Sequence, residues 1–223
     1  MKTHLPALKI DLHVHTNYSN DAKTTLDEVV QYAQKQGLDG VAITDHDTVL
    51  GARKLTRQKQ LMIIPGIEVS SRQGHVLGLN IDEPIPPKLD ITQTSEKIRQ
   101  LGGIAVIAHP STVIKTGLGI RIISPSDIDA VEVINSSSFP FSLSTYLARR
   151  LAQRLGLPQT AGSDAHYPKE IGSAFTRVEA DSNPDDIIEA IRKEKTDPFG
   201  KPISTMLRIE RGLDGLREAL RGL

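Results

Sequence analysis

The sequence predicts an α/β protein folded as a compact, distorted barrel of alternating strands and helices. Three observations predict it. Apolar runs of strand length alternate with segments of helical periodicity almost to the end of the chain. Seven or eight such units fit into 223 residues, which suits a single barrel-sized domain spanning 1–223. Polar, chemistry-bearing residues recur where the apolar runs end, and in a parallel barrel that is the face on which active sites form. A doubly wound open sheet is the alternative, but no G-x-G-x-x-G follows the first strand.

The elements follow in order. Residues 8–15 form the first strand, in which Asp11, His13 and His15 alternate with Ile10, Leu12 and Val14. A helix over 25–36 opens on Thr25 and Glu28, the two ends of a capping box, and stops at Gly37. Residues 40–44 (GVAIT) are a second strand, 48–60 a more polar helix, and 61–69 a third strand bent at Pro65-Gly66. Residues 75–81 are a short fourth strand. The proline-rich stretch 82–90 is a connection, followed by a helix over 94–101 and a strand over 103–108. A long loop covers 111–129, then a strand over 130–134. Leu143, Leu147, Leu151 and Leu155 mark a helix stripe that faces the core and ends at Gly156. Residues 159–163 are the seventh strand and 173–178 an eighth, short one. Asn183-Pro184 opens another helix with proline at its first position. Leu213, Leu216, Leu220 and Leu223 mark a last amphipathic helix, which caps the barrel or pairs with another subunit as a homo-oligomer.

Composition narrows the chemistry. The 27 basic and 27 acidic residues cancel, which argues against an extended nucleic-acid track or a membrane surface. There is no cysteine, so any metal must be held by His, Asp and Glu. No run of 18 apolar residues exists and the N-terminal stretch lacks a signal-peptide apolar region, so the expected location is cytoplasmic.

Six of the seven histidines fall at the predicted rim; the exception is His4, near the terminus. His13 and His15 end strand one, with Asp21 in the next loop. Asp45, His46 and Asp47 end strand two, and Glu68 ends strand three. His75 opens strand four, His109 ends strand five, Asn135 strand six, and Asp164 and His166 strand seven. Carboxylates crowded together raise each other's pKa unless cations sit between them. His with Asp and Glu suits zinc, manganese or iron. The count of donors exceeds what one tetrahedral ion needs, so two or three divalent ions are expected, with Glu68 able to bridge two. Asp11 and Asp45 are candidates to orient a metal-bound histidine from behind, Asp45 being the assigned catalytic carboxylate; Asp47 has the same candidacy or caps the following helix.

The set HVHTNYSND, ITDHD, GIEVS, HVLG, AHP and AGSDAH, in this order over 11–176, resembles the polymerase-and-histidinol-phosphatase (PHP) family of metal-dependent phosphoesterases. The resemblance implies a distorted (β/α)7 barrel, completed by 177–223, and a cluster of two or three metals. By position, His13, His15, Glu68 and Asp164 resemble the ligands of a first ion. Glu68, His75 and His109 resemble those of a second, and Asp21, His46 and His166 those of a third. The arginine that often follows Ala-His-Pro in the family is replaced by Ser111-Thr112. Lys115 or Arg121 then grips the phosphate from the long loop, and Asn135 is a third substrate candidate. Tyr18 and Tyr167 flank ligands and stack a base or sugar, or pack as wall.

The function so implied is hydrolysis of a phosphomonoester, a nucleotide or other small phosphorylated metabolite, by a metal-activated water. One alternative is a 5′-end exonuclease acting on short oligonucleotides with the same site. Another is a non-catalytic scaffold subunit of an RNA-containing assembly.

Overall fold

The computed structural model describes residues 7–110 and 123–221, with side chains described through 213. Nine strands form one sheet: β1 (Ala7–Val14), β2 (Gly40–Ile43), β3 (Met62–Ser70), β4 (His75–Leu79), β5 (Ile104–Ile107), β6 (Ala130–Asn135), β7 (Gln159–Gly162), β8 (Ala174–Glu179) and β9 (Thr196–Gly200). Their order is β7-β6-β5-β4-β3-β2-β1-β8-β9. The helices are α1 (Leu26–Lys35), α2 (Leu50–Leu55), α3 (Ile91–Gln100), α4 (Phe141–Leu155), α5 (Pro184–Arg192) and α6 (Thr205–Arg221).

The α/β barrel class stands, with more strands than seven. β1, β2 and β3 pair in parallel, as do β5, β6 and β7, but β4 runs antiparallel between β3 and β5. That reversal puts the start of β4, and His75 with it, at the rim where β3 ends. Pro65-Gly66 is a hand-over within β3: residues up to Pro65 pair with β2 and residues from Gly66 pair with β4. β8 and β9 extend the sheet antiparallel beyond β1. β9 has no apolar alternation and contains Pro198, which an edge strand tolerates because one side of it makes no ladder.

The sheet nearly closes where β1 meets the end of β7. His15 N donates to Ala165 O at 3.0 Å and Asp164 N donates to His13 O at 2.8 Å. The approach is so tight that a Cβ on Gly162 would lie 2.3 Å from that of His13, so only glycine fits there. Asp11 staples the same seam, accepting from Ser163 N at 2.8 Å and Gly172 N at 2.9 Å.

Helices pack outside on three apolar clusters. One joins β-strand residues to α3 and α4, a second to α5, and a third to α1 and α2. The capping box on α1 forms as expected, and Asn183 caps α5. α3 starts earlier than expected, at Ile91, because Asp90 and Gln93 make a second capping box. α2 is only six residues long, since the polar stretch after Leu55 offers no face to bury. The expected leucine stripe of α4 is corrected: Leu143 is 51% exposed. The face turned inward carries Ser144, Ala148, Leu151 and Ala152, whose mostly small side chains let the helix sit close to the sheet. Among the described residues no helix is long and apolar enough to cross a membrane.

Candidate metal centre

The barrel rim gathers all nine predicted metal-donor side chains. His13 and His15 come from β1 and its end, and both are fully buried. Glu68 is fully buried near the end of β3, where its N–H donates to Asp45 O at 3.1 Å. Its two oxygens face different neighbours. Oε1 lies 2.9 Å from His75 Nδ1 and 3.0 Å from His109 Nε2. Oε2 lies 3.3 Å from His13 Nε2, 3.2 Å from His15 Nε2 and 3.2 Å from His46 Nδ1. Asp164 Oδ1 is 3.3 Å from His15 Nε2 and 3.4 Å from His166 Nδ1. Asp21 closes the outer side, with Oδ2 at 3.1 Å from His166 Nε2 and 3.5 Å from His46 Nε2. Several triplets within this set could hold an ion, among them His13, His15 and Glu68, and His15, His46 and His166.

The hydrogen bonds behind the ring decide which ring nitrogens point inward as lone pairs. His13 Nδ1 lies 2.9 Å from Glu132 Oε1, an acceptor, so it carries the proton and Nε2 is left bare. His15 Nδ1 donates to Ser19 Oγ at 3.2 Å, and that hydroxyl in turn donates to Asp45 Oδ1 at 3.2 Å. His166 Nδ1 donates to the backbone oxygen of Asp164 at 3.0 Å. In their neutral forms His13 and His15 then face each other with bare Nε2 atoms at 3.0 Å, beside Glu68 Oε2. Glu68 Oε2 and His46 Nδ1 are buried without an aligned hydrogen-bond partner. A buried set made only of acceptors is unfavourable unless a positive charge sits among them. The donor set therefore fits divalent metal ions.

The titration of these groups follows from the same crowding. Burial alone would lower the His13 imidazolium, but Glu132, Glu68 and Asp164 outweigh it and hold it well above the usual histidine range. Burial opposes His15 as well, yet Asp164 and Glu68 lift it to about 9. Burial would raise Glu68 and Asp164, but the histidines hold both below the usual carboxylate range. Hydrogen bonds from His166 and His46 hold Asp21 far down. Protons on the imidazoles thus occupy the electrostatic place that cations would take.

Behind the ring lies a supporting layer. Glu132, a charge inside the apolar run AVEVI, is not among the site residues expected from the sequence. Its Oε1 meets His13, while Oε2 accepts from His109 N at 2.8 Å and Asn135 Nδ2 at 3.0 Å. One carboxylate therefore ties β1, the end of β5 and β6 together. Asp45 is fully buried. It accepts from Thr16 N at 2.6 Å and Thr16 Oγ1 at 2.8 Å, and it reaches His15 through Ser19. Burial pushes its carboxyl up despite these donors. Asn135 spends its amide hydrogens on Glu132 and Asp164 Oδ2, the latter at 3.2 Å. Asp47 accepts from Ser70 N at 2.8 Å, bracing the end of β3. Lys115, Arg121 and His4 lie outside the described residues.

Three of the six described non-glycine residues with positive φ lie at this rim; Asn80, Lys88 and Glu194 lie elsewhere. Asp47, His109 and Asp164 have φ of 55°, 29° and 55°, a region non-glycine residues rarely adopt. Such outliers at strand ends are typical of functional sites, where the fold over-determines the backbone to aim a side chain. Beside the ring, Asp21, Asp164 and His166 line a cleft of about 410 Å³ together with Ser137, Tyr167 and Arg211.

A barrel whose rim offers such a cluster is the architecture of a metal-dependent hydrolase. Two family models match the chain in succession: the PHP domain over residues 11–141 and the PHP-associated segment over 144–196. The chain belongs to the PHP family, and it is a hydrolase acting on phosphate esters. An uncharacterised protein of Methanocaldococcus jannaschii is 37% identical over 142 residues, covering 58% of this chain and 82% of the relative. A phosphoribosyl 1,2-cyclic phosphate 1,2-diphosphodiesterase of Eggerthella lenta is 38% identical over 85 residues, 34% of this chain and 32% of that protein. Among solved structures, a two-domain protein of Bacteroides vulgatus containing a predicted PHP-like metal-dependent phosphoesterase superposes with a TM-score of 0.73. It is 18% identical, and the match covers 89% of this chain and 66% of that one, a likeness of fold.

Proposed function

We propose that the protein hydrolyses a phosphomonoester of a small molecule, with two or three divalent ions in the rim cluster. The observation that carries this reading is the setting of Glu68: its two oxygens face separate groups of imidazoles beside a cleft of about 410 Å³. A cleft of that size suits one small ligand, since such sites typically run about 300–1,000 Å³. In this reading His13, His15, Glu68 and Asp164 hold one ion, and Glu68, His75 and His109 hold a second. Asp21, His46 and His166 hold the third.

When bound, divalent ions supply Lewis acidity, lowering the pKa of water and neutralising charge on a phosphoryl group. The chain's own residues make that possible. Glu132 keeps the His13 proton on Nδ1, and Ser19, backed by Asp45, does the same for His15. Asp45 acts as a positioning residue through Ser19. The strained backbones at His109 and Asp164 aim two of the donors inward.

A second reading is a phosphodiester substrate, of which a 5′-phosphorylated oligonucleotide is one case. It is favoured by the diphosphodiesterase name of the Eggerthella relative. The test is a hydrolysis screen with manganese- or zinc-loaded protein, read by released inorganic phosphate for monoesters and by chromatography of the products for diesters and oligonucleotides, whose cleavage frees no inorganic phosphate. Its arms are a panel of nucleotides and sugar phosphates, a model diester and a short 5′-phosphorylated oligonucleotide. Release from monoesters is the expected result. Cleavage of the diester or the oligonucleotide with monoesters untouched would overturn the monoester reading.

A further inference from the structure

The last helix, α6, reaches the cleft, and two arginines on it do different work. Arg208 spends its guanidinium on backbone: it donates to Ser137 O at 3.0 Å, Ser136 O at 3.2 Å and Ser138 O at 3.1 Å. It clamps the loop after β6. Arg211, nearly one turn on, lines the cleft. Its Nε lies 3.1 Å from Glu170 Oε1, and its Nη1 donates to Ser137 Oγ at 2.8 Å. The Tyr167 ring lies 5.8 Å from the guanidinium carbon.

Both anchors lead back to the donor ring. Glu170 is fully buried, and its other oxygen accepts from His166 N at 2.9 Å and Tyr167 N at 3.1 Å. Ser137 Oγ in turn donates to Asp164 O at 3.1 Å. Arg211 is thus registered against the backbones of two ring residues, Asp164 and His166. Its Nη2 has no partner among the described residues. An arginine immobilised on one edge presents its remaining N–H groups as a fixed fork, the geometry that matches phosphate oxygens. Because the buried Glu170 and the half-buried Ser137 have already ordered the side chain, binding an anion costs little further ordering. Lys23 on the same cleft adds positive charge beside the acidic Asp21.

We infer that Arg211, held by Glu170 and Ser137, is an anion-binding residue that takes an oxygen of the substrate's phosphate at the Asp164–His166 corner of the cleft. The inference rests on the phosphate-ester reading above and supplies the arginine that the Ala-His-Pro segment lacks.

The experiment is calorimetric titration of inorganic phosphate into the metal-loaded full chain, alongside kinetics on whichever ester the screen finds. Arg211→Ala should weaken phosphate binding by about 10- to 100-fold, the loss of one charge-assisted pair. KM should rise by a similar factor, while kcat and metal content change little. Arg211→Lys should recover part of the affinity, since it restores the charge without the fork. If Arg211→Ala fails to fold because Glu170 is left as a lone buried charge, the Glu170→Gln/Arg211→Ala pair replaces it. Phosphate binding within twofold of wild type in either variant, or no phosphate binding by wild type, would overturn the inference. An enzyme whose phosphate affinity depends on Arg211 but which cleaves no monoester would sink the monoester reading and leave the anion site standing.

Discussion

The ring around Glu68 and the layer around Asp45 lie at neighbouring strand ends, and each is centred on a fully buried carboxylate. Their surroundings differ in kind. Glu68 is encircled by imidazole nitrogens that hold it below the usual carboxylate range against the effect of burial. Asp45 is met by the Thr16 N–H and by the Thr16 and Ser19 hydroxyls, and burial still pushes its carboxyl up. Where a buried acid faces fixed donors, its hydrogen bonds are complete and it acts as a brace. Where it faces other acceptors and titratable rings, its need for positive charge is open, and a cation or protons must supply it. In the reading proposed above, the contrast separates residues that would hold metal from residues that hold the holders.

The largest expected effect breaks the ring itself. Glu68→Gln keeps the shape but removes the charge shared by two groups of imidazoles. Bound metal should fall sharply and activity by about 10³-fold or more, since ion-derived stabilisation is worth several kcal/mol. Metal analysis of the purified variant, paired with its rate, checks this; wild-type metal content and rate would remove Glu68 from the centre. The next effect lies in the brace. Glu132→Gln should cost about 10- to 100-fold in metal affinity or activity, the usual range for a partner of a ligating histidine. Asp45→Asn should cost less, about 3- to 10-fold, because Ser19 stands between it and His15. If Asp45→Asn proves more damaging than Glu132→Gln, the order argued from these contacts is wrong.

Acidity sharpens the same comparison. In metal-free protein the His15 pKa is raised to about 9, so the stability this charge contributes is fully present below the unfolded value near 6.5. It is lost as pH rises through about 9. The lowered Glu68 and Asp164 act in the opposite sense: their contribution is present above the unfolded carboxylate values and is lost as pH falls through the folded ones. Chelated protein should therefore melt highest in mildly acidic buffer and lose about 5 °C or more by pH 9. Metal-loaded protein should not share that alkaline loss, because deprotonated imidazoles bind metal more tightly. Melting curves with and without chelator across pH 6 to 9 decide it. Parallel pH profiles for the two forms would mean that metal and protons do not compete at these histidines.

The donor ring is readable in sequence because it obeys local rules. H-x-H and D-x-H place alternate side chains on one face, and apolar runs mark where the strands end. The supporting layer is only half readable. Glu132 carries a usable signal, a lone acid within AVEVI, because a buried strand does not keep an unpaired charge. Arg208 and Arg211 carry none. In sequence they are two cations on an amphipathic helix, and their role depends on that helix docking against the loops after β6 and β7. β9 is hidden by Pro198, which reads as a turn and is tolerated only because the strand lies at an edge. Leucine spacing turns Leu143 toward the core, yet α4 packs on the smaller Ser144 and Ala148, which carry little weight in an apolar pattern.

The smallest effect on activity is expected far from both regions, at the end of α4. Gly156 there adopts φ of 61°, closing the helix in the left-handed conformation, with open space where a Cβ would lie. Gly156→Ala meets no steric clash, so its cost is the backbone conformation alone, about 1 kcal/mol. Chemical denaturation should show that loss while metal content, KM and kcat stay as in wild type. The variant calibrates the other measurements, because it lowers stability without touching the ring or its brace. Should Gly156→Ala also shed metal, occupancy would follow global stability, and losses seen in Glu132→Gln or Asp45→Asn would no longer report on how the histidines are held.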